Sequence, residues 1–278
     1  MTFLPKRTRG SLAISERELI RNINELEELH QDQSLPALRS SVQEWVEINH
    51  ERSPKADSAS GMISRRGLLI GSGAAAIGGV LIAACGSNNS STGTTTPTTS
   101  PPSTTGGSPA SLTGDLKVAA LAASLENLGI YAYNAGIKAA TAGKLGSVPS
   151  AIVTFATTAK AQHMQHAAAW NSALVGAGKA KITETDPALT PTVKQMFGQV
   201  TDVAGLAKLA LEIENIASQT YQSAVGALSS TSAIKVAASI HPVEMQHAAI
   251  LNLVLGNYPV PNAFNPTSSA RSTSDLSA

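Results

Sequence analysis

Between residues 115 and 256 apolar side chains, alanine foremost, return every three or four positions, the repeat of a helix that buries one face. The pattern predicts four helices, near 115–141, 149–176, 202–228 and 232–255. Glycines and Pro149 in the stretch 141–149 separate the first two, and Ser229, Ser230 and Thr231 make a tight turn between the last two. A long link, 177–201, carries Pro187 and Pro191 and a short helical pattern at 193–200. Two helical hairpins joined by a long crossover predict an all-α fold, an antiparallel four-helix bundle. Upstream, 15–29 reads as an amphipathic helix with Leu19, Ile20, Ile23, Leu26 and Leu29 on one side, opened by a Ser15–Glu18 capping box. A further helical pattern, 38–48, places Leu38, Val42 and Trp45 on one face. Two helices of this length bury too little to fold alone. Either they dock on something or they are not part of the working protein.

The stretch between these parts is different in kind. Arg65 and Arg66 precede an uncharged run, 67–84, and Ile82-Ala83-Ala84 precede Cys85. The arginine pair resembles a twin-arginine export signal, and the small residues before the cysteine resemble a bacterial lipobox. Together they mark 62–85 as a signal, with Cys85 as the lipidation position and the twin-arginine export machinery as a partner. The alternative is an uncleaved membrane helix, for which 18 residues with five glycines is short. Met62 lies just ahead of the arginines, so residues 1–61 are either a charged extension that is removed or a stretch that is not translated. Residues 86–114 are almost wholly Ser, Thr, Gly, Pro and Asn, a composition for a disordered stalk. The tail, 257–278, reads as irregular, docked through Tyr258 and Phe264. The expected protein is exported and held at the membrane by a lipid.

Charge sharpens this division. Residues 1–66 hold 20 of the 39 charged side chains, and after Cys85 the only arginine is Arg271. A nucleic-acid surface needs clustered Lys and Arg, so nucleic acid is excluded as a partner of the C-terminal part. A single cysteine excludes a disulfide framework within the chain and any Cys-based metal site.

Against so few charges, the glutamates and histidines stand out. The two predicted hairpins repeat each other: Leu125-Glu126-Asn127-Leu128 matches Ile213-Glu214-Asn215-Ile216, 88 positions on, and Ala119, Ala122, Tyr133 and Ile137 have counterparts in Ala207, Ala210, Tyr221 and Val225. A glutamate therefore sits inside each apolar stripe, whereas Glu212 is turned toward solvent. The other two helices align over 81 positions, His163-Met164-Gln165-His166 against Glu244-Met245-Gln246-His247. Residues three apart share one helix face, so each pair can reach a single point. A buried carboxylate without a partner is costly, and here Glu126, His163, His166, Glu214, Glu244 and His247 supply one another with partners. Tyr133, Tyr221 and Trp170 read as core aromatics, Gln165 and Gln246 as neighbours of the histidines, and His241 as a surface residue.

On these residues the chain resembles the ferritin-like superfamily, in particular exported bacterial ferritin-like domain proteins. That resemblance covers 115–255 and implies a carboxylate-bridged centre of two iron or manganese ions. It implies that Glu126 and Glu214 are terminal ligands, that Glu244 bridges, and that His166 and His247 each bind one ion. The departure is His163, where the resemblance calls for a second bridging glutamate; His163 is then a ligand itself or supports one. Two functional expectations follow. The domain binds metal and reacts with dioxygen or peroxide, as a ferroxidase or catalase would; or it is a structural lipoprotein that keeps the fold without metal, its polar cluster a buried hydrogen-bond network.

Overall fold

The computed structural model describes residues 14–52 and 112–277. Arg65, Arg66, Cys85 and nearly all of the expected stalk therefore lie outside the described residues. The described helices are α1 (Glu16–Leu29), α2 (Leu35–Arg52), α3 (Gly114–Thr141), α4 (Ser150–Gly176), α5 (Leu189–Gly198), α6 (Val203–Ala227) and α7 (Thr231–Leu255). Among the described residues there is no strand, and no helix is long and apolar enough to cross a membrane.

The chain is all-α, and its centre is a bundle of two hairpins, α3–α4 and α6–α7. Each turn is fixed locally. Gly143 and Gly146 take positive φ in the first. In the second, the amides of Ser229 and Ser230 donate to the Asp115 carboxylate at 2.9 and 2.8 Å, tying that turn to the start of α3. Asp202 caps α6 by accepting from the Gly205 amide at 2.7 Å, and Gly256 ends α7 in the left-handed conformation at φ 79°. Pro242 lies within α7.

The crossover carries α5, longer at its start than the pattern at 193–200 suggests. Asp186 holds its entry: it is fully buried, accepts from the amides of Ala188 and Leu189, and pairs with the Arg271 guanidinium. The C-terminal tail is thereby pinned to the crossover, with Leu276 buried. This differs from the expectation of docking through Tyr258 and Phe264, which are 73% and 88% exposed. The Arg271–Asp186 ion pair, buried Leu276 and hydrogen bonds from the Ser269 and Arg271 amides to Gln219 and Thr220 hold the tail; its exposed aromatics do not.

The upstream helices dock. Joined by a π-helical turn at His30–Ser34, α1 and α2 lie against α4, and α2 also lies against α7. Leu19 and Ile23 enter the core around Phe155 and Leu251, while Leu38, Val42 and Trp45 enter the core around Trp170 and Ile240. The two tryptophan rings meet edge to face, 5.8 Å between centroids. Gly176 lets Val46 approach closely, since a Cβ there would stand 2.7 Å from a Val46 methyl. Glu16 reaches the open start of α4, accepting from the Ser150 hydroxyl and the Ala151 amide. Ser15 caps α1 by accepting from the Glu18 amide, the contact its capping pattern calls for.

Candidate metal centre

Each long helix of the bundle brings polar side chains to one place in the interior. The cross-pairs Glu126–Tyr221 and Tyr133–Glu214 join α3 to α6, which therefore run in opposite directions. His166 opposite Glu244 and Gln162 opposite His247 show the same for α4 and α7. The i, i+3 spacing on α4 and α7 turns both members of each pair inward. All six of Glu126, His163, His166, Glu214, Glu244 and His247 are at most 4% exposed.

They form two groups of possible ligands that share two members. The first is Glu126, His163, His166 and Glu244; the second is His163, Glu214, Glu244 and His247. In each, the ligand atoms lie within 4.8 Å of one another. Glu244 faces both, its Oε1 2.9 Å from His166 Nδ1 and its Oε2 3.4 Å from His247 Nδ1. His163 also faces both, with Nδ1 2.7 Å from Glu126 Oε2 and Nε2 3.3 Å from Glu214 Oε1. The histidine that replaces the expected glutamate thus occupies the same middle position and offers one nitrogen to each side.

The alignment of these atoms is informative. His166 Nδ1 and Nε2, His247 Nδ1, Glu214 Oε2 and both oxygens of Glu244 are buried and without a hydrogen-bond partner. Several approach one another closely yet are misaligned for hydrogen bonding, so they converge on shared space. Buried polar atoms normally find partners. Nitrogen and carboxylate oxygen donors converging in this way fit a divalent transition metal such as iron or manganese.

Two tyrosines hold the outer carboxylates. Tyr133 donates to Glu214 and Tyr221 to Glu126, a symmetric exchange between the repeats. Trp170 Nε1 donates to the Tyr221 oxygen at 2.8 Å, and the two rings stack. Burial and the neighbouring carboxylates push both phenols well above their ordinary range, so they stay protonated donors. Burial alone would raise Glu126, but His166 and His163 more than reverse this and lower it to about 2. Glu214 is driven well below the carboxylate range in the same sense, by His247 and His163 against burial. Burial opposes charge on His247, yet Glu214 and Glu244 push it up to about 9. His166 and His163 are raised too, against burial, the first chiefly by Glu126 and the second by Glu244 and Glu214. A protonated His163 donates from both nitrogens, to Glu126 and to Glu214.

Glu212 is exposed. His241 is half-buried and bonded to Asn265 at 3.0 Å, so it is not a free surface side chain. Gln165 bonds to His30, whereas the residue beside His247 is Gln162, whose Oε1 lies 2.6 Å from His247 Nε2. Gln162, Glu27 and His30 carried no signal in the sequence, because their partners lie in helices far along the chain. Next to the cluster, behind Tyr133 and Phe155, lies a small apolar cavity of about 40 Å³, room for a small uncharged molecule.

A family model described as a ferritin-like domain matches residues 114–257, just over half of the chain. No curated protein and no solved structure matches it. The match begins at the first residue of α3 and ends two residues beyond α7, so it spans both hairpins and all six clustered residues.

Proposed function

The chain belongs to the ferritin-like domain family, and from that premise we propose that it binds two iron or manganese ions and uses them in redox chemistry at the cell envelope. Its fold and its buried Glu/His groups are compatible with metal binding. The observation that carries the proposal is the set of buried, unpartnered donor atoms on Glu214, Glu244, His166 and His247 that face common space. Glu126 with His166 would hold one ion and Glu214 with His247 the other, Glu244 lying between them. His163 would be a shared nitrogen ligand or a charged neighbour of the glutamates. A bound iron or manganese ion supplies changes of oxidation state and an open position for an oxidant. The protein's own part is to fix the carboxylates through Tyr133 and Tyr221 and to keep bulk water out. The chemistry this favours is oxidation of metal or removal of peroxide.

A second reading has its own support. Three glutamates face three histidines, so the cluster holds as many acidic as basic side chains and can offset its own charge without metal. A metal-free structural protein would need nothing more. Thermal melting of the full chain in excess chelator, then with Fe(II) or Mn(II), separates the two. Metal at a hundred times its dissociation constant stabilises by about 2.7 kcal/mol. Superimposable curves would leave the structural reading standing and remove the metal one.

For location we propose export by the twin-arginine machinery and anchoring through a lipid on Cys85. Cleavage ahead of Cys85 would leave α1 and α2 behind, so the full-length and anchored forms differ in what covers the bundle. Mass spectrometry of the membrane fraction tests this: a lipid-modified N-terminal Cys85 supports anchoring, and an intact upstream sequence in every fraction contradicts it.

A further inference from the structure

The histidines of the cluster are approached from behind by residues of the upstream hairpin. Glu27, on α1, is a carboxylate and only accepts hydrogen bonds; one oxygen takes a bond from Gln31 and the other from Gln162 Nε2. With its amide nitrogen committed to Glu27, Gln162 turns its oxygen to His247 Nε2, 2.6 Å away. That nitrogen must carry a proton, which leaves Nδ1 turned toward Glu244 and Glu214, at 3.4 and 3.5 Å. His30, in the turn after α1, is 2% exposed, and its Nε2 donates to Gln165 Oε1 at 2.8 Å. Its Nδ1 is then an acceptor, buried and without a partner. The ring stands edge-on to His166 with centroids 5.7 Å apart, and His166 Nε2 is likewise buried without a partner.

We propose that Glu27, acting through Gln162, is a positioning residue of the metal centre, holding His247 protonated at Nε2 so that Nδ1 faces the ions. This rests on the metal reading above. Metal-binding histidines commonly donate their other N–H to a fixed acceptor, and loss of that acceptor weakens metal binding about 10–100-fold. The upstream hairpin is on this account part of the site. Glu27 precedes Cys85, so processing there would remove it and loosen the centre.

The test uses the full chain and Co(II) as the probe, followed by visible absorption. Glu27→Leu should weaken Co(II) binding about 10–100-fold. Glu27→Gln, which keeps an acceptor oxygen, should recover most of it. A second readout needs no metal. In excess chelator, nitrogen NMR should show His247 Nε2 protonated and hydrogen-bonded in the unaltered chain. In Glu27→Leu that signature should be lost. Wild-type Co(II) affinity retained in Glu27→Leu, or an unchanged His247 Nε2–H in that variant, would overturn the proposal while sparing the metal reading. No Co(II) binding by the unaltered chain would remove the metal reading, and the positioning role with it.

Discussion

Replacing Gly129 with alanine sets two effects of known sign against each other. Gly129 lies in the middle of α3, and its backbone is helical, so in open space alanine would gain about 1 kcal/mol of helix propensity. The space is not open. A Cβ there would stand 2.9 Å from Cε1 and Nδ1 of His163 and 3.0 Å from its Cδ2, against the face of the ring. Carbon contacts relax at about 3.5–4.0 Å, so the imidazole must move by about half an ångström or more. Overpacking of this kind costs about 1–3 kcal/mol. The ring is also held by Glu126 at 2.7 Å and Glu214 at 3.3 Å, and charged hydrogen bonds weakened by the shift add to the cost. The net is a loss of about 2 kcal/mol, or about 4–8 °C in melting temperature for a unit of this size. Gly226, exposed in α6 with nothing near its Cβ position, is the matched control: Gly226→Ala should be neutral or slightly stabilising. The assay is thermal melting of both variants in chelator. If Gly129→Ala is as stable as Gly226→Ala, His163 is not seated against α3 as described.

Three further outcomes follow from the same packing and charges. Trp45→Ala should cost about 3–5 kcal/mol in chemical denaturation, since Trp45 is 2% exposed against Trp170; a loss under about 1 kcal/mol would mean α2 is not docked. Tyr221→Phe should cost about 1–3 kcal/mol, because Trp170 loses its acceptor and Glu126 a donor. Tyr133→Phe, which strands only Glu214, should cost less in the same denaturation series. In chelator, the contribution of the cluster to stability should be fullest between about pH 4.5 and 6.5: Glu126, lowered to about 2, loses its contribution as pH falls through that value, and His247, raised to about 9, loses its own as pH rises through it, while His30, lowered by burial, works against the fold as pH drops below 6.5. A melting temperature that climbs from pH 6.5 to 9 without metal would contradict the ion-pair description of the cluster.

The bundle was legible in the sequence because helical periodicity and turn residues are local signals. The six clustered residues were legible for a related reason: i, i+3 pairs and an internal repeat place side chains on faces without knowledge of contacts. What stayed hidden is long-range. His30 and Gln165 are 135 positions apart, as are Glu27 and Gln162, and no spacing rule joins them. The same holds for Arg271 and Asp186, whose ion pair anchors the tail where aromatic burial was expected. Docking of α1 and α2 could be posed as a choice, because two short helices cannot be stable alone. Their partner surface, α4 and α7, becomes apparent only when Trp45 meets Trp170 and Glu16 meets the start of α4. His163 is the intermediate case: the repeat identified it as a departure, but only the geometry shows that it faces both groups.

Metal content is the most direct measure of the central claim. Full-length protein, stripped, reconstituted with Fe(II) or Mn(II) and freed of excess, should retain about two ions per chain by elemental analysis. Glu244→Ala, which removes the carboxylate shared by both groups, should retain less than one. An unaltered chain that retains no iron and no manganese, or a Glu244→Ala variant that retains as much as the unaltered chain, would contradict the account.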